Sequence, residues 1–533
     1  MGYKAFLFLF IIFFMSFKRT ILREIIEKFL KEGRLSKGKI YTITKTVCSK
    51  YNLSDMPTNV QLLEVCNPHE KSILREFLMT KPMRTSSGVT VITVVAKPAD
   101  CPGRCIYCPR GENAPQSYTG MEPAIQRGIR NRYDPFLQVK DRLNQYRLMA
   151  HPTDKVELII IGGTFLALPK QYKEWFICRL YDSLNGIPSK NLEHAKKINE
   201  NSDIRCTGLT VETRADYCFK KNIKEMLRFG TTRVEIGLQS VYPEILRKVT
   251  RLHDVDDAIK ATQLSKDSAL KVTYHIMPGL FVDEKADLDQ FKILFRDQRF
   301  RPDSLKIYPT LVVKRTRLYE MWERGEYEPL TFEKATGLIA KAMKYIPSYC
   351  RIIRVQRDIP ATEIEAGVKK SNLREHVERK AEKMGIRIKE IRYREIGHKK
   401  EVDYGRIKLY RFIYNASNGK EIFLSFEDKK SDSLIAFLRL RIPYKPFMRG
   451  IDRKTALVRE LHVYGPLVPV GEHKKDAWQH KGFGRRLLEK AEKIAREEFD
   501  KNKMVIISGV GIRPYYYQFG YKPSGIYVSK ILK

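Results

Sequence analysis

Between residues 89 and 308 the chain repeats one pattern, a short β-branched run followed by a longer stretch with apolar positions every three or four residues. The runs at 89–95, 156–161, 206–212, 233–238, 272–277 and 304–308 predict strands, and the stretches between them predict amphipathic helices. Strand–helix alternation implies parallel βαβ units with a site at the carboxyl ends of the strands. About six such units make a partial (β/α)6 barrel rather than a closed eightfold one. Further on, strand-like runs at 455–463 and 504–508 flank a helical stretch beginning at Arg485, which predicts a mixed α/β domain. The expected fold class is therefore α/β, organised as a basic helical N-terminal region over 1–80, a partial barrel over 81–330, a basic helical linker over 331–400 and a second α/β domain over 401–533.

The apolar run at 5–17, AFLFLFIIFFMSF, is 13 residues long. A spanning helix needs about 20. No small-residue cleavage site follows it; an amphipathic helix begins at Lys18 instead. Translation is expected to start at Met15, with 1–14 upstream of the true start and no stable membrane association; a membrane tether is the competing reading of the run. Charge adds a partner class. The 99 Lys and Arg against 62 Asp and Glu leave +37, which suits a polyanion such as RNA, and the basic helical region over 1–80 is the expected RNA-binding module, a solvated basic face being the plainer reading. Nine cysteines without a secreted-type framework fit a reducing, cytoplasmic location.

Three of those cysteines, Cys101, Cys105 and Cys108, fall in the run CPGRCIYC at 101–108. Thiolates at C-x3-C-x2-C spacing can hold three corners of a 4Fe-4S cluster, leaving one iron for a small-molecule chelate such as S-adenosylmethionine (SAM). This is the spacing of radical SAM enzymes. A structural zinc knot is the competing reading, and it needs a fourth ligand from Cys206, Cys218 or a histidine. A second motif, Gln479-x-x-Gly482-x-Gly484, precedes the helical run from Arg485. Glycines there let backbone N–H groups approach a pyrophosphate at a helix N-terminus, as in acetyltransferases of the GNAT type that bind coenzyme A. At the barrel's strand ends, Gly162, Gly163, Glu212, Glu235 and Gln239 are candidate SAM contacts. His275 is also at a strand tip, where a lone histidine reads as a hydrogen-bonded structural residue.

The chain resembles the family of the catalytic subunit of Elongator, which joins a radical SAM barrel to a GNAT-like domain. The resemblance runs from about Lys18 to the C-terminus. It is carried by KPMRTSSGV at 81–89, CPGRCIYCP at 101–109, PQSYTGMEP at 115–123, RYDP at 132–135, DKVE at 154–157 and LKIYPTLV at 305–312. RYREIG at 392–397, VRELHVYG at 458–465 and ISGVGIRPYY at 507–516 continue it. A single-chain form resembles the archaeal-type members that work without the large eukaryotic assembly. The resemblance implies a tRNA wobble-uridine enzyme that makes 5-carboxymethyluridine from acetyl-CoA and a SAM-derived 5′-deoxyadenosyl radical. In the family's proposed mechanism that radical takes hydrogen from the acetyl methyl group, and the carbon radical adds to C5 of uracil. An electron and a proton are then lost, and thioester hydrolysis releases coenzyme A.

The resemblance also implies roles. Cys101, Cys105 and Cys108 bind the cluster. Acetyl-CoA positions map to Lys155, to Glu460, Leu461, His462 and Val463, to Phe483, Gly484 and Arg485, and to Tyr516. Lys155, Tyr515 and Tyr516 are the candidates for acetyl-CoA turnover. The partners implied are a tRNA anticodon stem-loop and an external electron donor, and a homo-oligomer is compatible with the reading. Two departures stand out. Some relatives carry cysteines in the segment aligned with 385–397, where this chain has none, so a cysteine-bound zinc is not expected there. Eukaryotic relatives have a longer gap between the first two cluster cysteines. The strongest rival is a protein lysine acetyltransferase with a structural cluster and Glu460 as general base; the net charge, which repels basic tails, stands against it. A catalytically silent tRNA-binding scaffold would leave the cysteines unexplained.

Overall fold

The computed structural model describes residues 19–32, 35–53, 55–79, 88–396, 402–465 and 481–533. The apolar run, Met15, Gln479 and the segment 80–87 lie outside the described residues. Contacts divide the chain into two compact units, one comprising 1–86 with 141–153 and the other comprising 87–140 with 154–533.

The first unit is helical. Helices at 19–31, Lys37–Lys50, Asn59–Val65 and Pro68–Leu78 close on a core that includes Ile25, Ile26, Phe29, Val47, Leu63 and Leu74. Their starts are written in the sequence. Thr58 with Gln61, and Asn67 with Glu70, form reciprocal capping boxes, and Pro68 occupies the first turn where no N–H is needed. Arg23 adds a two-pronged bond to Glu70 at 2.6 and 2.9 Å. Ala150 joins the core, and its carbonyl accepts from Arg75 Nε at 2.8 Å, so the segment 141–153 belongs to this unit.

The second unit contains two seven-stranded sheets. The first is parallel throughout and ordered as in the chain: β1 Thr90–Val95, β2 Lys155–Ile161, β3 Arg205–Thr213, β4 Arg233–Gln239, β5 Lys271–Ile276, β6 Ser304–Ile307 and β7 Arg351–Val355. The first strand, TVITVV, and the 158–161 end of the second are near-continuous apolar runs, as in a sheet covered by helices, whereas the later strands carry polar residues among the apolar ones. Gly186 and Gly230, both left-handed, end the helices Lys170–Asn185 and Lys220–Phe229. Six of these strands lie within two residues of the sequence-based expectation. The seventh corrects the count of six: β7 falls inside the segment read as a helical linker. Its Arg351-Ile-Ile-Arg354-Val run is β-branched, but flanking basic helices at Phe332–Ala342 and Leu373–Lys383 hide it.

The second sheet has the order β8 Lys408–Ala416, β9 Gly419–Asp428, β10 Ser433–Ile442, β11 Thr455–Val463, β12 Lys503–Ile506, β14 Tyr527–Ile531 and β13 Lys522–Ser524. Only β11 and β12 run parallel; the other neighbours are antiparallel. Ser417 and Asn418, both at positive φ, make the two-residue β8–β9 turn.

A buried charge network joins the sheets. Arg441 meets Asp267 at 2.6 Å and Glu421 at 2.9 Å; Arg459 meets Asp303 at 2.5 Å and Glu421 at 3.0 Å; Lys266 reaches Asp303 at 3.3 Å. All six side chains are at most 1% exposed. The turn at 509–511 presses on the start of β3 so closely that a Cβ on Gly509 would lie 2.2 Å from the Thr207 carbonyl oxygen.

Candidate active site

The carboxyl ends of the first sheet open on one cavity lined by all three motif cysteines together with Gly163, Glu212, Glu235 and Gln239. The cysteine loop is shaped for a guest. Gly103 N–H donates to Cys101 Sγ at 3.4 Å, and Cys108 N–H donates to the Cys105 carbonyl at 3.1 Å. Arg251 Nη1 donates to Cys105 Sγ at 3.3 Å while its Nη2 holds the Gly237 carbonyl at 2.8 Å. A hydrogen bond shared with Cys108, and then the Arg251 charge, hold the Cys105 thiol down to about 4, so it is a ready thiolate.

Around the loop, Arg214 binds Asp216 at 2.9 and 2.8 Å, and a Cβ on Gly103 would come within 2.2 Å of its Nη1. That Nη1, Glu235 Oε1 and Gln239 Oε1 are buried without a hydrogen bond among the described residues. Gln239 ends β4 at φ 70, a costly backbone for a side chain with a Cβ. Three thiols, a cation on one sulfur and unpaired buried polar atoms fit an iron–sulfur cluster with a polar ligand beside it. Zinc fits poorly. Cys206 donates to the Gly208 carbonyl at 3.5 Å, Cys218 pairs with Ser265 at 3.4 Å, and burial pushes both thiols up to about 12. Neither lines the cavity, and the histidine that does, His275, is hydrogen-bonded to Glu235.

Two of the candidate SAM contacts are engaged by a lysine that the sequence reading did not single out. Lys306 Nζ binds Glu212 at 2.9 Å and also pairs with Glu235. His275 Nε2 lies 3.0 Å from Glu235 Oε2, which bears out its reading as a hydrogen-bonded residue. Against the cost of burial, Lys306 and His275 keep Glu235 ionised, well below the usual carboxylate range. Gly162 does not line the cavity. At φ 131 it turns the chain after β2, and a Cβ there would crowd Ala96 at 3.1 Å.

The second sheet has a cleft of its own. β11 and β12 pair only from Thr455 with Lys503 to Val458 with Ile506. Beyond that they part, after a bulge that leaves Arg459 unopposed on β10. Glu460, Leu461, His462 and Val463 therefore present a half-exposed strand edge, a backbone that can pair with the amides of an extended ligand. The helix Phe483–Glu497 begins beside this edge. Gly482 caps it at φ 75, and no acidic residue stands in its first turn, so its N–H groups suit a phosphate. A Cβ on Gly484 would meet Tyr515 Oη at 2.4 Å and Val463 at 3.6 Å, which places strand edge, helix start and tyrosine around one space. Phe483 is buried against Phe426, Arg485 is exposed and bound to Glu489 at 2.7 Å, and Tyr516 is 6% exposed against Tyr515.

Glu460 is no free base. Arg439 Nε donates to it at 2.8 Å and Lys271 at 3.4 Å, and against the cost of burial these cations keep it at about 2. Burial likewise takes His462 down to about 4, a neutral ring stacked on Phe437. Lys155 sits at the first residue of β2 opposite Arg205, with burial lowering its ammonium pKa. A Cβ on Gly511 would touch Arg205 Cβ at 2.5 Å, so Lys155 starts its strand near the segment just before the tyrosines.

An open, all-parallel βα sheet with a three-cysteine loop at its carboxyl end is the arrangement of a radical SAM enzyme. Family models agree: residues 98–292 match the Radical SAM superfamily, 302–383 the Radical SAM C-terminal domain and 17–86 the ELP3 N-terminal domain. A protein of Methanocaldococcus jannaschii named tRNA uridine(34) acetyltransferase is 50% identical over 97% of this chain and 98% of its own length. Human Elongator complex protein 3 is 42% identical over 96% of each. The solved Elp3 of Methanocaldococcus infernus, lacking its N-terminal 1–46, superposes with a TM-score of 0.75 at 49% identity, covering 84% of this chain and all of that one. The chain belongs to the Elp3 family.

Proposed function

We propose that this chain modifies the wobble uridine of tRNA, joining a carbon unit from acetyl-CoA to C5 of the base and leaving 5-carboxymethyluridine. One observation carries the reading: a cysteine-lined mouth and a splayed strand edge beside a glycine-capped helix occur in one compact unit, locked together by buried charges. The name of the M. jannaschii relative supports both the RNA substrate and the acyl donor. So does the net charge of +37, since basic residues hold phosphates without reading sequence. A wobble base in a single-stranded loop can be splayed into the mouth without melting a duplex.

A 4Fe-4S cluster with SAM, reduced by an external donor, supplies the radical that a weakly acidic acetyl methyl group and a weakly nucleophilic C5 require. Cys101, Cys105 and Cys108 would hold the cluster, with Gly163, Glu235 and Gln239 beside the SAM. In the cleft, the backbone of 460–463 would pair with the pantetheine amides and the 482–484 turn with the pyrophosphate. Tyr516 would donate near the thioester. Burial raises Tyr515 to about 12 and Tyr516 further, so both phenols stay protonated at neutral pH. Lys155 and Lys271 begin their strands whereas the cysteine mouth lies at the strands' far ends, roughly 20 Å away for a strand of this length. The acyl group therefore has to move between the two sites. Cysteine ligands that must stay reduced, free to bind as thiolates, fit a cytoplasmic site of action.

The protein-acetylating alternative loses its base. A carboxylate held at about 2 by two cations is a weak proton acceptor near pH 7. The test is acetyl-CoA hydrolysis measured with and without tRNA and SAM. Stimulation by tRNA supports the RNA reading; stimulation by lysine peptides and not by tRNA would replace it.

A further inference from the structure

Apart from the mouth and the cleft, a cavity of about 300 Å³ opens at the amino ends of β6 and β7, beside the edge strand β8. Its wall is aromatic. The Tyr349 and Tyr414 rings stack 4.0 Å apart with planes 10° from parallel, and Phe412 stacks on Tyr349 at 6.0 Å. Phe412 lies against both tyrosines, 5.6 Å from Tyr414 with planes tilted 33°, and is nevertheless 46% exposed, an apolar ring standing in water at the edge of the cluster. The rim is cationic. Arg296 and Lys344 are exposed, and Lys292 and Lys344 lie 5.4 and 4.9 Å from the Tyr345 ring. Among the described residues no acidic side chain lines the cavity, although Asp289 pairs with Lys292 at its edge, which leaves Arg296 and Lys344 as the cations of the rim. Arg301 serves the fold instead, since its donors hold the carbonyls of Phe295, Arg296 and Asn415 and so tie β8 to the barrel.

Stacked rings with an exposed face, beside clustered cations, match a planar base joined to a phosphate. An apolar partner would gain nothing from the cations, and a simple anion would gain nothing from the rings. The volume is at the small end for ligand sites, so it admits a single nucleotide and no duplex. We infer that this cavity receives one unpaired nucleotide of the tRNA, its base on the exposed face of Phe412 and its phosphate on Arg296 and Lys344. The inference rests on the RNA reading proposed above. Because the cavity lies at the opposite strand ends from the cysteine mouth, this nucleotide is not the wobble base. It is a second contact that sets how the tRNA lies across the enzyme.

The test uses the full chain and fluorescently labelled tRNA titrated at several salt concentrations. F412A should weaken tRNA binding about tenfold, the worth of one base–aromatic stack, while F412W keeps wild-type affinity. R296E combined with K344E should weaken binding and lower the slope of log affinity against log salt by about one to two. Ultraviolet irradiation of the wild-type complex should crosslink RNA to the peptide carrying Phe412. SAM cleavage without tRNA should not change in any of the three. Wild-type affinity and slope in all variants, with no such crosslink, would overturn the inference while leaving wobble modification standing. Saturation of the cavity by free AMP with no effect on tRNA affinity would also overturn it. A wild-type protein that fails to bind tRNA would defeat the functional proposal and this inference together.

Discussion

Arg459 grips Asp303 through both carboxylate oxygens, at 2.8 and 2.5 Å, and in doing so ties the second sheet's β11 to the residue that leads into the barrel's β6. The same bulge that leaves Arg459 unopposed on β10 begins the stretch where β11 parts from β12. One local irregularity thus both anchors the two sheets to each other and opens the cleft.

Removing Asp303 should uncouple the two sheets. D303A leaves Arg459, Lys266 and Arg439 without their shared carboxylate, and breaking a buried pair on one side costs about 3–5 kcal/mol. A calorimetric scan should show a lower Tm with the single transition split in two. An unchanged scan would deny the network any structural role.

Acid should do the same to the intact protein. Against the cost of burial, their cations hold Asp303 well below the usual range and Glu460 at about 2. Depressed carboxylates contribute stability that is present above the unfolded values, near 4, and is lost as pH falls toward 2. Thermal melts at descending pH should lose stability through that window, and D303N should lose less of it. Equal acid sensitivity in wild type and D303N would contradict the assignment.

C105S should abolish wobble modification and the iron–sulfur absorbance while changing tRNA affinity by less than about twofold, since a cluster ligand does not anchor phosphates. Retained modification would contradict the radical route.

G484A places a methyl group against Tyr515 Oη and should push the cleft apart. An overpacking cost of about 1–2 kcal/mol corresponds to a rise of about tenfold in KM for acetyl-CoA, with SAM cleavage unaffected. Y516F should impair acetyl-CoA turnover more than SAM cleavage measured without acetyl-CoA. Equal loss of both activities in Y516F would make that tyrosine a folding residue.

The parallel strands were legible because each is a short β-branched run, and the cysteine loop because its chemistry is compressed into eight residues. Glu460 to Val463, Phe483, Gly484 and Tyr515 could be named from resemblance, and the structure brings Val463, Gly484 and Tyr515 around one space while Phe483 is buried against Phe426. What stayed hidden depends on distant partners. Nothing around Arg251 marks it as the cation on Cys105, 146 residues earlier, and Lys306 is a strand lysine until the fold sets it between Glu212 and Glu235. The seventh strand escaped because five residues carry too little pattern among basic helices. The buried arginines of β10 and β11 alternate with apolar residues, a pattern that predicts a solvated face; the second unit covers that face with carboxylates instead.

The most direct measurement is nucleoside mass spectrometry after anaerobic incubation of the reconstituted full chain with reductant, SAM, acetyl-CoA and unmodified tRNA. The account requires 5-carboxymethyluridine at the wobble position, lost when either SAM or acetyl-CoA is omitted and lost in C105S. Unmodified tRNA recovered from an enzyme that holds its cluster, binds the tRNA and cleaves SAM would contradict it.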